Sequence, residues 1–225
     1  MIPQSSAFAA SIRKGSPASW KAAHPPMLEF TDGIAKDICT AWQKWSQGLS
    51  TTTFTVAGLG IGAWTGSGSG AKLEQGAPFD VIHTWKYKDY EYYKKLSDAI
   101  TKEYKAAFKQ YCDTFQFKSQ TFTGTCGSSG PVAATALSAT LDSIKADAKL
   151  PDALKPKILS DLPSTWDNEG GFIKIIIGAL QDATKEHFMM WEMSSQWSGD
   201  TFTFPLADPI TGAASGPSIG TGKIT

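Results

Sequence analysis

One order of segments occurs three times in this chain, and it constrains the fold more than any other feature. A helix with an apolar stripe is followed by a Thr/Phe run and then by a glycine-rich stretch, over residues 30–70, 92–130 and, with the glycine-rich part falling after the 172–204 helix and strand, 172–222. Each copy carries the tripeptide Thr-Phe-Thr, at 53–55, 121–123 and 201–203. Recurrence of this kind predicts a degenerate structural repeat. The predicted class is therefore mainly α with short β segments (α+β), built from three helix–strand–Gly-rich-arm repeats and an inserted helical pair at 131–162.

The helices are read from their periodicity. Phe30, Ile34, Ile38, Trp42 and Trp45 recur at spacings of four and three, which puts them on one face of a helix over about 28–46. Tyr93, Leu96, Ile100, Tyr104, Ala107, Tyr111 and Phe115 do the same within 84–116. There Lys94, Lys95, Lys102, Lys105 and Lys109 lie mainly off the stripe, and Glu91–Lys95 and Asp98–Lys102 form i,i+4 pairs in the favourable order. Because acids are interspersed, this face reads as solvated mixed charge rather than a nucleic-acid patch. Ile173, Ile176, Leu180, His187 and Trp191 mark a third helix over about 171–194. Pro131 is expected to open another, with Ala133, Leu137, Leu141, Ile144 and Ala148 inward; a short one over 152–160 supplies Leu154, Ile158 and Leu159. Upstream, residues 1–29 form an N-terminal arm. Phe8 and Ile12 share a face there, and a capped turn holds Trp20 before His24-Pro25-Pro26 ends it.

Between the helices, 51–56, 115–123 and 201–204 alternate β-branched and aromatic residues and read as strands. Residues 57–70 contain six glycines, too many for a helix. Such a stretch orders only where something else supplies its contacts. The same holds for the Gly/Pro/Ser/Thr-rich segment 205–225, whose Leu206, Ile210, Ile219 and Ile224 are too scattered for a core. It is expected to lie along a partner or to be mobile, so deleting 206–225 should leave folding intact and impair assembly.

Composition excludes several functions. Lys+Arg and Asp+Glu are both 21, a formal net charge of zero, which argues against binding nucleic acid by neutralising phosphates. Eight Trp, twelve Phe and six Tyr supply either a well-filled core or an aromatic interface. Three cysteines without a CxxC pair argue against a disulfide framework or structural zinc, and Cys39 and Cys112 read as buried small hydrophobes. No charged segment followed by an apolar stretch appears in residues 1–15, so no secretory leader is expected. The cluster 172–180 is too short to span a bilayer.

Tests for chemistry fail on physical grounds. Gly58-Leu59-Gly60-Ile61-Gly62-Ala63 matches a dinucleotide string, but no helix can begin in the glycines that follow. Gly220-Thr221-Gly222-Lys223 lacks both the first glycine and the hydroxyl residue of a P-loop. Glu186 and Glu192 face different directions on one helix, so they cannot flank a glycosidic bond. Asp167 and Glu169 form the best remaining carboxylate pair, though acids before a helix N-terminus are ordinary. His24, His83 and His187 show no ligand spacing. No catalytic residue, cofactor or metal site is expected.

Repeated helices with Gly-rich strands and arms suit a structural part that augments a neighbour's sheet. The helix end at Trp42/Trp45 with its Ala57–Gly70 tail, and the closing Gly212–Thr225, resemble small structural proteins of tailed-bacteriophage virions, those of tail, neck and baseplate. The likeness lies in the order of segments and carries over no functional residue. It implies a non-enzymatic, oligomeric virion component made in the host cytoplasm. Its partners would be itself and other particle proteins, with neither nucleic acid nor membrane, and its interface would use Trp64, Leu206, Ile210, Ile219 and Ile224. The alternatives are a carbohydrate- or peptide-binding module using exposed Trp64, Trp85 or Trp166, or a small hydrolase using Asp167 or Glu169, either one otherwise cytoplasmic.

Overall fold

The structure, a computed structural model, describes residues 2–17, 25–59, 62–69, 73–86, 88–117, 120–126, 132–134, 138–146, 150, 154–168, 172–199, 202–204, 206–208, 213–214 and 218–224. The described chain is mainly helical with short strands, a coarse α+β class. Its helices are α1 (Ser5–Lys14), α2 (Pro25–Gln47), α3 (Glu91–Thr114), α4 (Leu141–Ile144), α5 (Leu154–Asp161) and α6 (Phe172–Ser194). Its strands are β1 (Leu49–Leu59), β2 (Gly62–Ser69), β3 (Leu73–Gln75), β4 (Gln116–Phe117), β5 (Gln120–Cys126), β6 (Val132–Ala134), β7 (Ser138–Thr140), β8 (Lys145–Ala146), β9 (Gln196–Gly199), β10 (Phe202–Phe204), β11 (Leu206–Asp208), β12 (Ala213–Ala214) and β13 (Ser218–Ile224). The chain divides into two compact units. One comprises Met1–Ser46, Ala77–Tyr111 and Lys149–Trp191; the other comprises Gln47–Gly76, Cys112–Ala148 and Glu192–Thr225.

The first unit is a helical body around an aromatic core. Trp42 and Trp45 of α2, Tyr104, Phe108 and Tyr111 of α3, Phe79 of the preceding segment, and Phe188 and Trp191 of α6 are all buried. Phe79 stacks on Phe108 at 3.9 Å, and Trp45 meets Phe108 edge-on at 4.8 Å and Trp191 at 5.3 Å. Stacked and edge-to-face pairs of this kind add about 0.5–1.5 kcal/mol each beyond the area they bury. Tyr104 hydrogen-bonds Thr184 and so ties α3 to α6. Helix α1 docks by Phe8 against His187, at 5.3 Å, and by the close approach of Gly15 to Ala179, where an added Cβ would stand 2.7 Å from the alanine methyl. The predicted stripes of α2 and α6 are buried, and so is that of α3 apart from the half-buried Tyr93.

The second unit carries the sheets. Seven strands form one sheet in the order β5-β2-β1-β13-β9-β7, with β3 also pairing with β1. All of its pairings are antiparallel. Gly76 N–H donates to Gly48 C=O at 2.8 Å, and a Cβ on Gly76 would lie 2.6 Å from that oxygen, so glycine permits the closure of β3 on β1. Trp197 is buried, and its indole N–H donates to Thr51 Oγ1 at 3.3 Å. Buried Glu192 accepts from Lys145.

Several expectations need correction. The predicted helix over 131–148 is β6, β7, the single turn α4 and β8 instead. Local Ala/Leu preference loses there to pairing, since β6 hydrogen-bonds β10 and β7 hydrogen-bonds β9. Among the described residues of the inserted helical pair, only α5 and that turn are helical. Helix α3 begins at Glu91 rather than 84; Thr84 and Trp85 are instead held against α2, through Asp37 and Phe30, and turns precede the helix. Pro25-Pro26 open α2 rather than merely end the preceding turn, as proline costs no hydrogen bond in a first helical turn. Asp98 pairs with Lys94 at 2.5 Å, and Lys102 reaches Asp161 at 2.6 Å, so the expected Asp98–Lys102 pair does not form. The Gly-rich stretch 57–70 contributes to β1 and β2, and residues 218–224 form β13 between β1 and β9. Part of each presumed arm is thus hydrogen-bonded within the chain. The turn around Trp20 lies outside the described residues.

Candidate functional site

The expected interface residues fall in the second unit, where their backbone positions are as follows. Trp64 lies on β2 opposite Gly124 of β5. Leu206 lies on β11 opposite Ala214. On β13, Ile219 lies opposite Thr55 and Ile224 opposite Trp197. Ile210 lies outside the described residues. The fold therefore places Trp64, Ile219 and Ile224 in one sheet and leaves Leu206 in a separate two-stranded pairing.

The candidate stacking tryptophans separate. Trp85 is 7% exposed, wedged against Phe30 and Tyr93 at 5.3 Å from each, and so cannot stack on a ligand. Trp166 is half-buried and already stacked on Tyr92 at 4.3 Å. Near that pair, a groove of about 580 Å³ is lined by Lys95, Asp98, Ala99, Lys102, Asp161 and Leu162. Its charges are largely paired off: Lys95 bonds Glu91 and Lys102 bonds Asp161. The Asp161 bond holds the Lys102 ammonium above the ordinary lysine range, and the Lys95 bond holds the Glu91 carboxyl below the usual carboxylate range. Of the carboxylates considered for hydrolysis, Glu186 is exposed, and buried Glu192 is bonded to Lys145. Asp167 falls in a short 3-10 turn, Ser164–Asn168; Glu169 lies outside the described residues.

A polar cluster missed in the sequence joins α2, the 77–90 segment and α3. Buried Asp37 accepts from the Thr84 N–H at 3.1 Å and from its hydroxyl at 2.8 Å. His83 Nδ1 stands 3.4 Å from Asp37 Oδ2, and His83 Nε2 is 2.9 Å from Thr101 Oγ1. Carboxylate, imidazole and hydroxyl follow in the order of an acyl-transfer triad. The distances favour a staple instead. Asp37 spends its short bonds on Thr84, and His83 Nδ1 has no hydrogen-bond partner among the described residues. No local pattern links positions 37, 83 and 101, which is why sequence periodicity could not find the cluster.

The remaining reactive groups are muted. Burial pushes the Cys39 thiol up to about 12, so it carries almost no thiolate at neutral pH. Burial likewise raises the Tyr104 phenol, against the opposing bond from Thr184. His187 is held below the usual histidine range, first by desolvation, with Glu186 and the Ala7 carbonyl pulling the other way. Among the described residues, no group of three or more His, Cys, Asp or Glu could hold a metal ion, and no helix is long and apolar enough to cross a membrane.

The outer face of α6 is different in kind. Met189, Met190 and Met193 are 57, 43 and 60% exposed, and Ile175 stands on the same side about four turns earlier. Methionine is flexible and polarizable, and it recurs at adaptable binding surfaces. No protein-family model, curated protein or solved structure matches this chain.

Proposed function

We propose that this chain is a non-enzymatic structural subunit of a large protein assembly, of the kind that builds the tail, neck or baseplate of a tailed-bacteriophage particle. The observation that carries the reading is the make-up of the seven-stranded sheet. Three of its strands, GAWTGSGS (β2), QTFTGTC (β5) and SIGTGKI (β13), are dominated by Gly, Ser and Thr. Strands so poor in apolar residues contribute little core of their own, and sheets are stabilised chiefly by buried faces and cross-strand pairs. A neighbouring subunit supplies what the sheet lacks, and its ordering entropy is most readily offset in a permanent assembly. Of the three proposed helix–strand units, the first two contribute their Thr/Phe strands, β1 and β5, to this sheet, while that of the third, β10, pairs with β6 in a separate two-stranded sheet.

Density-gradient sedimentation of the native source lysate, with the chain detected by mass spectrometry, tests this. Migration with a megadalton particle is expected. Residence at the top of the gradient as a monomer would refute it. A binding-module reading retains one favouring observation, the Trp166–Tyr92 stack, and titration with oligosaccharides would decide it.

A further inference from the structure

We infer that the outer face of α6 is a redox-modification site, at which hydroperoxides convert Met189, Met190 and Met193 reversibly into sulfoxides while the fold stays intact. Met193 follows Met189 by four residues and Met190 by three, so the three thioethers share one face of the helix. All three are exposed, Met193 and Met189 more than Met190. Their sequence neighbours Phe188 and Trp191 are buried and pack on each other at 5.2 Å. Oxygen added to the outward sulfurs therefore leaves that aromatic packing untouched. The site belongs to the free chain and does not depend on the assembly reading.

Cysteine is ordinarily the first residue to be oxidised, because its thiolate is the better nucleophile. Burial removes that competition here. Cys39 and Cys112 are free thiols, and both are buried. Burial also pushes the Cys39 thiol up to about 12, so only about one molecule in 100,000 carries the thiolate at neutral pH. A thioether has no proton to lose, and its sulfur lone pair is available at any pH. The exposed methionines are thus the reactive sulfurs, and the buried cysteines are not.

In the oxidation step a methionine sulfur lone pair attacks one oxygen of hydrogen peroxide. The S–O bond forms as the O–O bond breaks, and the departing hydroxide takes up the proton of the transferred oxygen to leave as water. Sulfur loses two electrons and peroxide gains them. Exposed Glu186, one turn earlier, does not repel a neutral oxidant. The product replaces apolar side-chain ends with polar sulfoxides, the change that disrupts methionine-rich contacts. Thiol-dependent sulfoxide reductases, one for each epimer, return the electrons.

Timed treatment of the full chain with hydrogen peroxide, followed by fragment-ion mass spectrometry, is the test. Oxygen is expected on Met189, Met190 and Met193 before any reaches Cys39 or Cys112, with Met190 the slowest of the three. Their rates should be equal at pH 6 and pH 8, whereas a thiol as weakly acidic as Cys39 would react about a hundredfold faster at the higher pH. Far-ultraviolet circular dichroism should not change, and retention on a hydrophobic-interaction column should fall. Methionine sulfoxide reductases with dithiothreitol should restore both mass and retention. M189L/M190L/M193L keeps a similar apolar volume, and its retention should resist peroxide. Oxygen reaching Cys39 or Cys112 first, methionine rates that rise with pH, or oxidation that unfolds the chain would each overturn the proposal. So would a triple variant whose retention falls as far as that of the wild type.

Discussion

Replacing Trp45 separates two contributions that its burial combines. The ring is fully buried, with Phe79, Phe108, Tyr111 and Trp191 at centroid distances of 6.5, 4.8, 6.3 and 5.3 Å. Trp45→Ala removes all of this and leaves a cavity, so a loss of about 3–5 kcal/mol is expected. Trp45→Phe keeps a ring in the site and forfeits about 1–2 kcal/mol of burial. It also removes an indole N–H that is buried with no hydrogen-bond partner among the described residues. An unsatisfied buried donor costs about 1–3 kcal/mol, so the two terms nearly cancel and the net change should stay within about 1 kcal/mol. Trp197→Phe is the control, because its N–H is used by Thr51. That variant loses the burial and the bond together, about 2–3 kcal/mol. Urea denaturation followed by far-ultraviolet circular dichroism gives all three values. If Trp45→Phe costs as much as Trp45→Ala, or more than Trp197→Phe, then the core around Trp45 has been misread.

Other perturbations probe the remaining elements. Gly33→Ala would put a Cβ 2.5 Å from Trp85 Cβ and Cγ, so despite the better helix propensity of alanine a net loss of about 1–3 kcal/mol is expected; an unchanged melting temperature would contradict the wedge. Because His187 has a lowered pKa in the fold, its unfolded form binds protons first, and its contribution to stability, present above the ordinary histidine range, is lost as pH falls through that range towards the folded value. Melting temperature should therefore fall from about pH 7 to pH 5, less steeply in His187→Gln; equal slopes would remove His187 as the cause. Lys145→Met removes the ammonium bonded to the buried Glu192 carboxylate and should cost about 1–3 kcal/mol, whereas Lys145→Met with Glu192→Leu should recover most of it; a double variant no better than the single would place the loss elsewhere. Deleting 206–225 removes β13, the strand between β1 and β9, so the backbone amides of β1 and β9 should lose hydrogen-exchange protection while α3 and α6 keep theirs. Unchanged protection in β1 would restore the original expectation of a dispensable arm.

What the sequence revealed and what it concealed divide by the range of the interaction. Phe30 to Trp45, Leu96 to Phe115 and Ile173 to Trp191 are legible because helical burial repeats every three or four residues, and a period survives whatever the helix packs against. Residues 131–148 misled because Ala133, Leu137 and Ile144 also fit a helical stripe, while pairing with Thr203 and Trp197 lies roughly 60 to 70 positions away and leaves no local trace. The same blindness hid the Asp37–His83–Thr101 staple, whose members share no spacing. It also hid the exposed face of α6. Met189, Met190 and Met193 look like any apolar residues on an apolar helix until Phe8 of α1 occupies the His187 side and Tyr104 of α3 occupies the Thr184 side. With both flanks taken, the methionines are what remains facing outward. Their exposure therefore follows from two long-range contacts, each made by a residue whose own helix was readable.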